Sequence, residues 1–146
     1  MKGRSYTVCK SDVWAALIQD AGEAFESALP HVQVRLKGRY SASLIVRAAL
    51  TMTTKALGEI KPSRDLLLAY AERYQDHADS VFGMEQRGGF RFGEQSQGEA
   101  EWLLDYLKKR RIRVPKMPIL YAIFVAVQFA TDQCRERVML EIGDEW

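Results

Sequence analysis

Six cations fall within nine positions in the last third of the chain, Lys108, Lys109, Arg110, Arg111, Arg113 and Lys116. Such a run can neutralise a row of phosphates, and binding of that kind weakens steeply with salt. The plainer reading is a helix C-terminus that draws cations to its own dipole. A second set is Gln33, Arg35 and Lys37, which alternate strictly with Val32, Val34 and Leu36. In that pattern an amide, a guanidinium and an ammonium share one face of a strand. Arginine suits guanine O6 and N7, and glutamine suits adenine N6 and N7, with Arg91 available from a second strand. The plainer reading is an edge strand kept from aggregating by its charges. Ser63 and Arg64 follow Pro62 where a helix should begin, and a helix N-terminus favours anions such as phosphate, although a serine there also serves as an ordinary cap.

Catalytic chemistry has little to build on. His31 and His77 have no cysteine or second histidine at ligand spacing, and Asp76-His77-Ala78-Asp79 reads as a solvated helix face rather than a metal site. Glu23 and Glu26 share a helical face, where paired acids ordinarily solvate a helix. No phosphate loop, dinucleotide glycine fingerprint or nucleophile elbow occurs. The expectation is a non-enzymatic protein with no cofactor, no metal and no evident small-molecule substrate.

The elements that must carry these residues can be read in order. Residues 4–10 alternate weakly as a short strand, and Ser11 can cap a helix over Asp12–Leu29 whose apolar stripe runs through Val13, Trp14, Leu17, Ile18, Ala21, Phe25 and Ala28. Residues 31–37 give the clearest period-two signal. Gly38 breaks that run, and Ser41 or Ser43 caps a helix continuing to Gly58. Residues 64–82 form another helix, closed by Gly83. Residues 83–98 hold five of the ten glycines and read as a loop around a brief strand at 89–93. Ser96-Gln-Gly-Glu99 matches a capping box opening a helix to about Arg110. The final helix, 117–142, contains Ile119-Leu-Tyr-Ala-Ile-Phe-Val-Ala-Val-Gln-Phe-Ala130, apolar on every face, and so must be covered on all sides.

A chain of 146 residues, 47% hydrophobic, can bury its own core as one domain. The formal charge of +2 is too small to name a nucleic-acid partner by itself. Cys9 and Cys134 form no metal or redox spacing, which fits reduced thiols in a cytoplasmic protein. No apolar run approaches the roughly 20 residues needed to cross a bilayer, so no membrane partner is expected.

Residues 31–82 and 89–142 share a plan of short strand, helix and second helix, after an N-terminal helical extension over 1–30. That plan resembles the ribbon-helix-helix family, as a single-chain tandem pseudo-dimer. Val32-Gln-Val-Arg-Leu36, the helix from Ser41, and Pro62-Ser-Arg-Asp-Leu-Leu67 carry the likeness in the register preferred on spacing. A competing register uses Thr7-Val8, Asp12-Val-Trp-Ala-Ala-Leu17 and Ser41-Ala-Ser-Leu-Ile-Val-Arg-Ala-Ala-Leu50, and carries an insertion of roughly ten residues around Pro30. The second copy departs from the family: Phe90-Arg-Phe92 is short, and Pro115-Lys-Met-Pro118 lacks a polar cap. The resemblance implies a ribbon that reads the major groove of double-stranded DNA, and hence transcription regulation. The alternative is a helical protein-interaction module, such as an inhibitor, an adaptor or a small subunit of a nucleoprotein complex. The expected fold is mainly α, about five helices around a buried C-terminal helix, with a short two-stranded antiparallel ribbon.

Overall fold

The computed structural model describes residues 4–9, 12–59, 61–72, 87–113 and 118–144. Strand β1 (Arg4–Cys9) is followed by α1 (Asp12–Ala28). A small hairpin of β2 (Arg35–Leu36) and β3 (Arg39–Tyr40) comes next, then α2 (Ala42–Glu59). Residues 64–72 form α3. Strand β4 (Arg87–Phe92), α4 (Glu94–Lys109) and α5 (Pro118–Asp144) complete the order. The protein is mainly helical.

Of the two antiparallel pairs among the described residues, the longer joins β1 to β4, with Arg4 opposite Phe92, Thr7 opposite Gly89 and Cys9 opposite Arg87. This corrects the expectation that 31–37 would be the partner of 89–93. Only Arg35 and Leu36 of that stretch are strand, and they pair with Tyr40 and Arg39. The reason is local. Lys37 and Gly38 both take positive φ, 52° and 81°, so the chain reverses after two strand residues in the manner of a type I′ hairpin turn. The Ser41 amide then donates to the Val34 carbonyl at 2.9 Å. The alternation survives only in part, for Val34 is buried while Leu36 is 52% exposed.

The first strand-helix-helix unit therefore begins at residue 4, not at residue 31. The stretch expected to be an N-terminal extension supplies that unit's strand and first helix, and α3 lies between the units rather than closing the first. Two independent observations make β1-α1-α2 and β4-α4-α5 equivalent. Equating Asp12 with Glu94, the openings of α1 and α4, also equates Thr7 with Gly89, and these two face each other in the ribbon. The same alignment sets buried Ile18, Ala21, Ala24 and Phe25 against buried Ala100, Leu103, Tyr106 and Leu107. An approximate two-fold axis through the Thr7–Gly89 pair follows. Among the helices, α1 packs chiefly on α5, α4 packs on both α2 and α5, and α2 and α5 lie against each other at the centre.

Helix α5 is enclosed as its composition requires. Every residue from Tyr121 to Thr131 is buried. Its neighbours are α1, α2 and α4, together with α3, which reaches it through Tyr70. The Tyr70 hydroxyl donates to Asp132 Oδ2 at 2.6 Å, its ring meets Phe129 edge-on at 6.2 Å, and Gln128 Nε2 donates to its carbonyl at 3.4 Å. The glutamine that interrupts the apolar run thus spends its amide on two backbone carbonyls, those of Tyr70 and Phe124. The two halves differ here. On α2, Arg47, Thr51 and Lys55 make an exposed stripe; equating Ala42 with Pro118 gives Ile123, Val127 and Thr131, all buried.

Candidate nucleic-acid interface

Opposed residues in an antiparallel pair lie on the same face of the sheet, so the register sorts the ribbon by composition. One face takes Ser5, Thr7, Cys9, Arg87, Gly89 and Arg91, a polar set. The other takes Arg4, Tyr6, Val8, Gly88, Phe90 and Phe92, mostly aromatic and apolar. Sequence reasoning placed Arg91 in the ribbon and read 4–10 as a short strand, but it missed Arg87 and preferred 31–37, with its stricter alternation, as the partner strand.

Gln33, Arg35 and Lys37 are not part of this ribbon. Arg35 is bound within the molecule. Its Nε donates to Glu26 Oε2 at 2.6 Å, its Nη2 to Glu26 Oε1 at 3.1 Å and its Nη1 to the Gly38 carbonyl at 3.0 Å. Its guanidinium carbon lies 4.1 Å from the centroid of the Tyr40 ring, and the Tyr40 hydroxyl donates to Glu26 at 2.6 Å. The bonds from Arg35, and then that from Tyr40, hold the Glu26 carboxyl below its ordinary value of 4.5. The Tyr40 phenol is pushed above 10.0, first by its bond to Glu26 and then by burial. The Arg35 guanidinium is raised by the same carboxylate. This trio pins the hairpin to α1, where Gly22 leaves room for the tyrosine ring: a Cβ at Gly22 would stand 2.5 Å from Tyr40 Cδ1. Gln33 donates to the Arg35 carbonyl at 3.2 Å, and Lys37 is exposed in the turn.

Ser63 is the expected cap, its Oγ accepting the Leu66 amide at 3.2 Å. Arg64 does different work from the phosphate site expected of it. Its Nε and Nη2 donate to the carbonyls of Arg110 at 2.9 Å and Arg111 at 3.0 Å, closing the C-terminus of α4. That end is a Schellman motif. The Ile112 amide donates to Leu107 O and the Arg111 amide to Lys108 O, with Arg111 at φ 60° and Ile112 buried beneath. At the other end, α4 opens at Glu94 behind Gly93, not at Ser96. Ser96 is buried in the first turn, and Glu99 accepts from Thr51 Oγ1 at 3.1 Å instead of completing a capping box.

The basic run gathers at the C-terminal end of α4, away from the ribbon by a helix of 16 residues, or about 24 Å. Lys109 pairs with Asp105 at 3.0 Å, and the Arg110 guanidinium lies 3.4 Å from the Tyr106 ring centroid. Lys108, Arg111 and Arg113 are exposed; Lys116 and His77 lie outside the described residues. Tyr106 also stacks on Trp102 at 5.4 Å, and that indole is 43% exposed. Among the described residues no cluster of three His, Cys, Asp or Glu side chains could hold a metal, and no helix is long and apolar enough to cross a membrane. In comparisons with known proteins, no family model, no curated protein and no solved structure matches the chain at a significant level.

Proposed function

We propose that the protein binds double-stranded DNA in the manner of the ribbon-helix-helix family, with the β1–β4 ribbon entering the major groove. One observation carries the reading: a single antiparallel ribbon assembled from two equivalent strand-helix-helix units, with a polar face and an aromatic one. A two-stranded ribbon fits the major groove. The aromatic face suits the helical layer, which leaves the Ser5, Thr7, Arg87 and Arg91 face for the bases.

Charge supports the same orientation. The α1–α2 connection (29–41) carries Arg35, Lys37 and Arg39, and the α4–α5 connection (110–117) carries Arg110, Arg111, Arg113 and Lys116, with no carboxylate in either. Arg35 is engaged by Glu26, so of these cations the exposed Lys37, Arg39, Arg111 and Arg113 are the ones that would meet phosphates. Fluorescence anisotropy with labelled duplexes tests the reading. Affinity should fall by orders of magnitude between 50 and 200 mM salt, by roughly 10-fold or more in an Arg87→Ala/Arg91→Ala double variant, and little in Trp102→Ala. Duplex binding untouched by the double variant would exclude the ribbon as reader.

The second reading, a protein-interaction module, has the Trp102, Tyr106 and Arg110 stack in its favour. Those three residue types dominate binding hot spots, and here they stand in a row on one helix. A stable complex from lysate that Trp102→Ala abolishes, together with no duplex affinity, would favour it.

A further inference from the structure

We propose that the ribbon reads an asymmetric duplex site, in which Arg87 and Arg91 take two guanines on one DNA strand, three to four base pairs apart. The inference rests on the DNA reading above and specifies its target. Ribbons made by two copies of one chain present the same residues on both sides of their axis, and their operators mirror that symmetry as palindromes. In this chain the axis passes through Thr7 and Gly89, so Ser5 is the counterpart of Arg87, and Cys9 of Arg91. Neither pair matches in chemistry.

The polar face accordingly has both of its guanidinium residues on β4 and only hydroxyl and thiol residues on β1. Arginine makes the bidentate contact that singles out guanine. A serine or threonine hydroxyl accepts any of several partners, and a thiol is a weak one. Sequence demand therefore falls on the bases nearest one strand of the ribbon. Arg87 and Arg91 are four residues apart, about 13 Å along a strand, against about 3.4 Å per base step. Gly89 lies midway between them on the same face, and a glycine within a strand suits close approach of another surface. In the register each arginine is paired with a short residue, Arg87 with Cys9 and Arg91 with Ser5.

The experiment is selection from a random duplex library with the full chain. Each guanine of the recovered site is then replaced by 7-deazaguanine, which lacks the N7 acceptor. The expected site has no dyad symmetry and carries two guanines on one strand at the stated spacing. Substitution at either one should weaken wild-type binding by about 10-fold or more. Arg87→Ala should abolish the penalty at one guanine only, and Arg91→Ala the penalty at the other. The wild-type pattern needs no variant, so it stands even if one variant folds poorly. A palindromic site, binding without base preference, or deazaguanine penalties that persist in both variants would overturn the inference and leave the DNA reading intact. Recovery of no duplex at low salt would overturn the DNA reading itself.

Discussion

Val127 and Thr51 occupy corresponding positions in the two units, and alanine at each should have very different consequences. Val127 is fully buried in α5, whereas Thr51 is exposed on α2. Truncating Val127 removes two buried carbons at ~0.8 kcal/mol each and leaves a cavity worth about 1 kcal/mol, for a total of roughly 2.5 kcal/mol. Truncating Thr51 costs an exposed hydrogen bond to Glu99 and gains helix propensity, for a net change within about 0.5 kcal/mol. Equilibrium urea denaturation reads the difference directly: the midpoint of Val127→Ala should fall well below that of Thr51→Ala, with slopes unchanged. Two variants within about 0.5 kcal/mol of each other would mean that α5 is not enclosed and that the four-helix surround is misassigned.

Three further outcomes concern the hairpin. Gly22→Ala should destabilise the protein by about 1–3 kcal/mol, because its Cβ meets the Tyr40 ring; in a Tyr40→Ala background the same change should be neutral or stabilising, as thermal melts would reveal. Lys37→Asn should stabilise by roughly 0.5–1 kcal/mol, since asparagine tolerates the positive φ better than lysine, and a raised melting temperature would report it. Docking of the hairpin should depend on pH at both extremes. The lowered Glu26 value means its contribution is complete above the ordinary 4.5 and is lost as pH falls through the folded-state value. The raised Tyr40 value means its contribution is complete below 10.0 and is lost as pH rises through its own. Amide exchange of residues 35–40, corrected for intrinsic rates, should show protection highest between those limits, and in Arg35→Ala the acid-side loss should begin at higher pH, because Glu26 loses the partner that lowers it most.

Helices were more legible in this sequence than the ribbon. The three- and four-residue spacing of Leu17, Ile18, Ala21 and Phe25 marks α1 nearly to the residue, Ser41 announces α2 with the cap bond that it makes to Leu44, and the unbroken apolar face of 119–130 identifies the enclosed helix. These are local properties, set by periodicity and by single side chains. Pairing of β1 with β4 joins segments far apart in sequence and leaves no local mark. The strict alternation of 31–37 therefore outranked the weaker pattern of 4–9, although Thr7-Val8 with Asp12-Val-Trp-Ala-Ala-Leu17 was the rival register. Lys37-Gly38 reads in the sequence as a break after the alternating run, and in the structure it is a hairpin turn. The roughly ten residues after Pro30 that the competing register carries as an insertion contain the β2–β3 hairpin, folded onto α1. Arg35 and Arg64, read in the sequence as contacts to bases and phosphate, are each engaged by partners that only tertiary structure supplies.

The joining of β1 to β4 also constrains the order of folding. Among the described residues β1 pairs with β4, so a ribosome must make the chain through Phe92 before that strand has those edge-to-edge bonds. Helices α1 and α2 draw on nearby contacts and form early, while the ribbon closes over a loop of most of the molecule and forms late. A nascent chain halted before β4 would carry an unpaired strand edge, the kind of surface that recruits another chain.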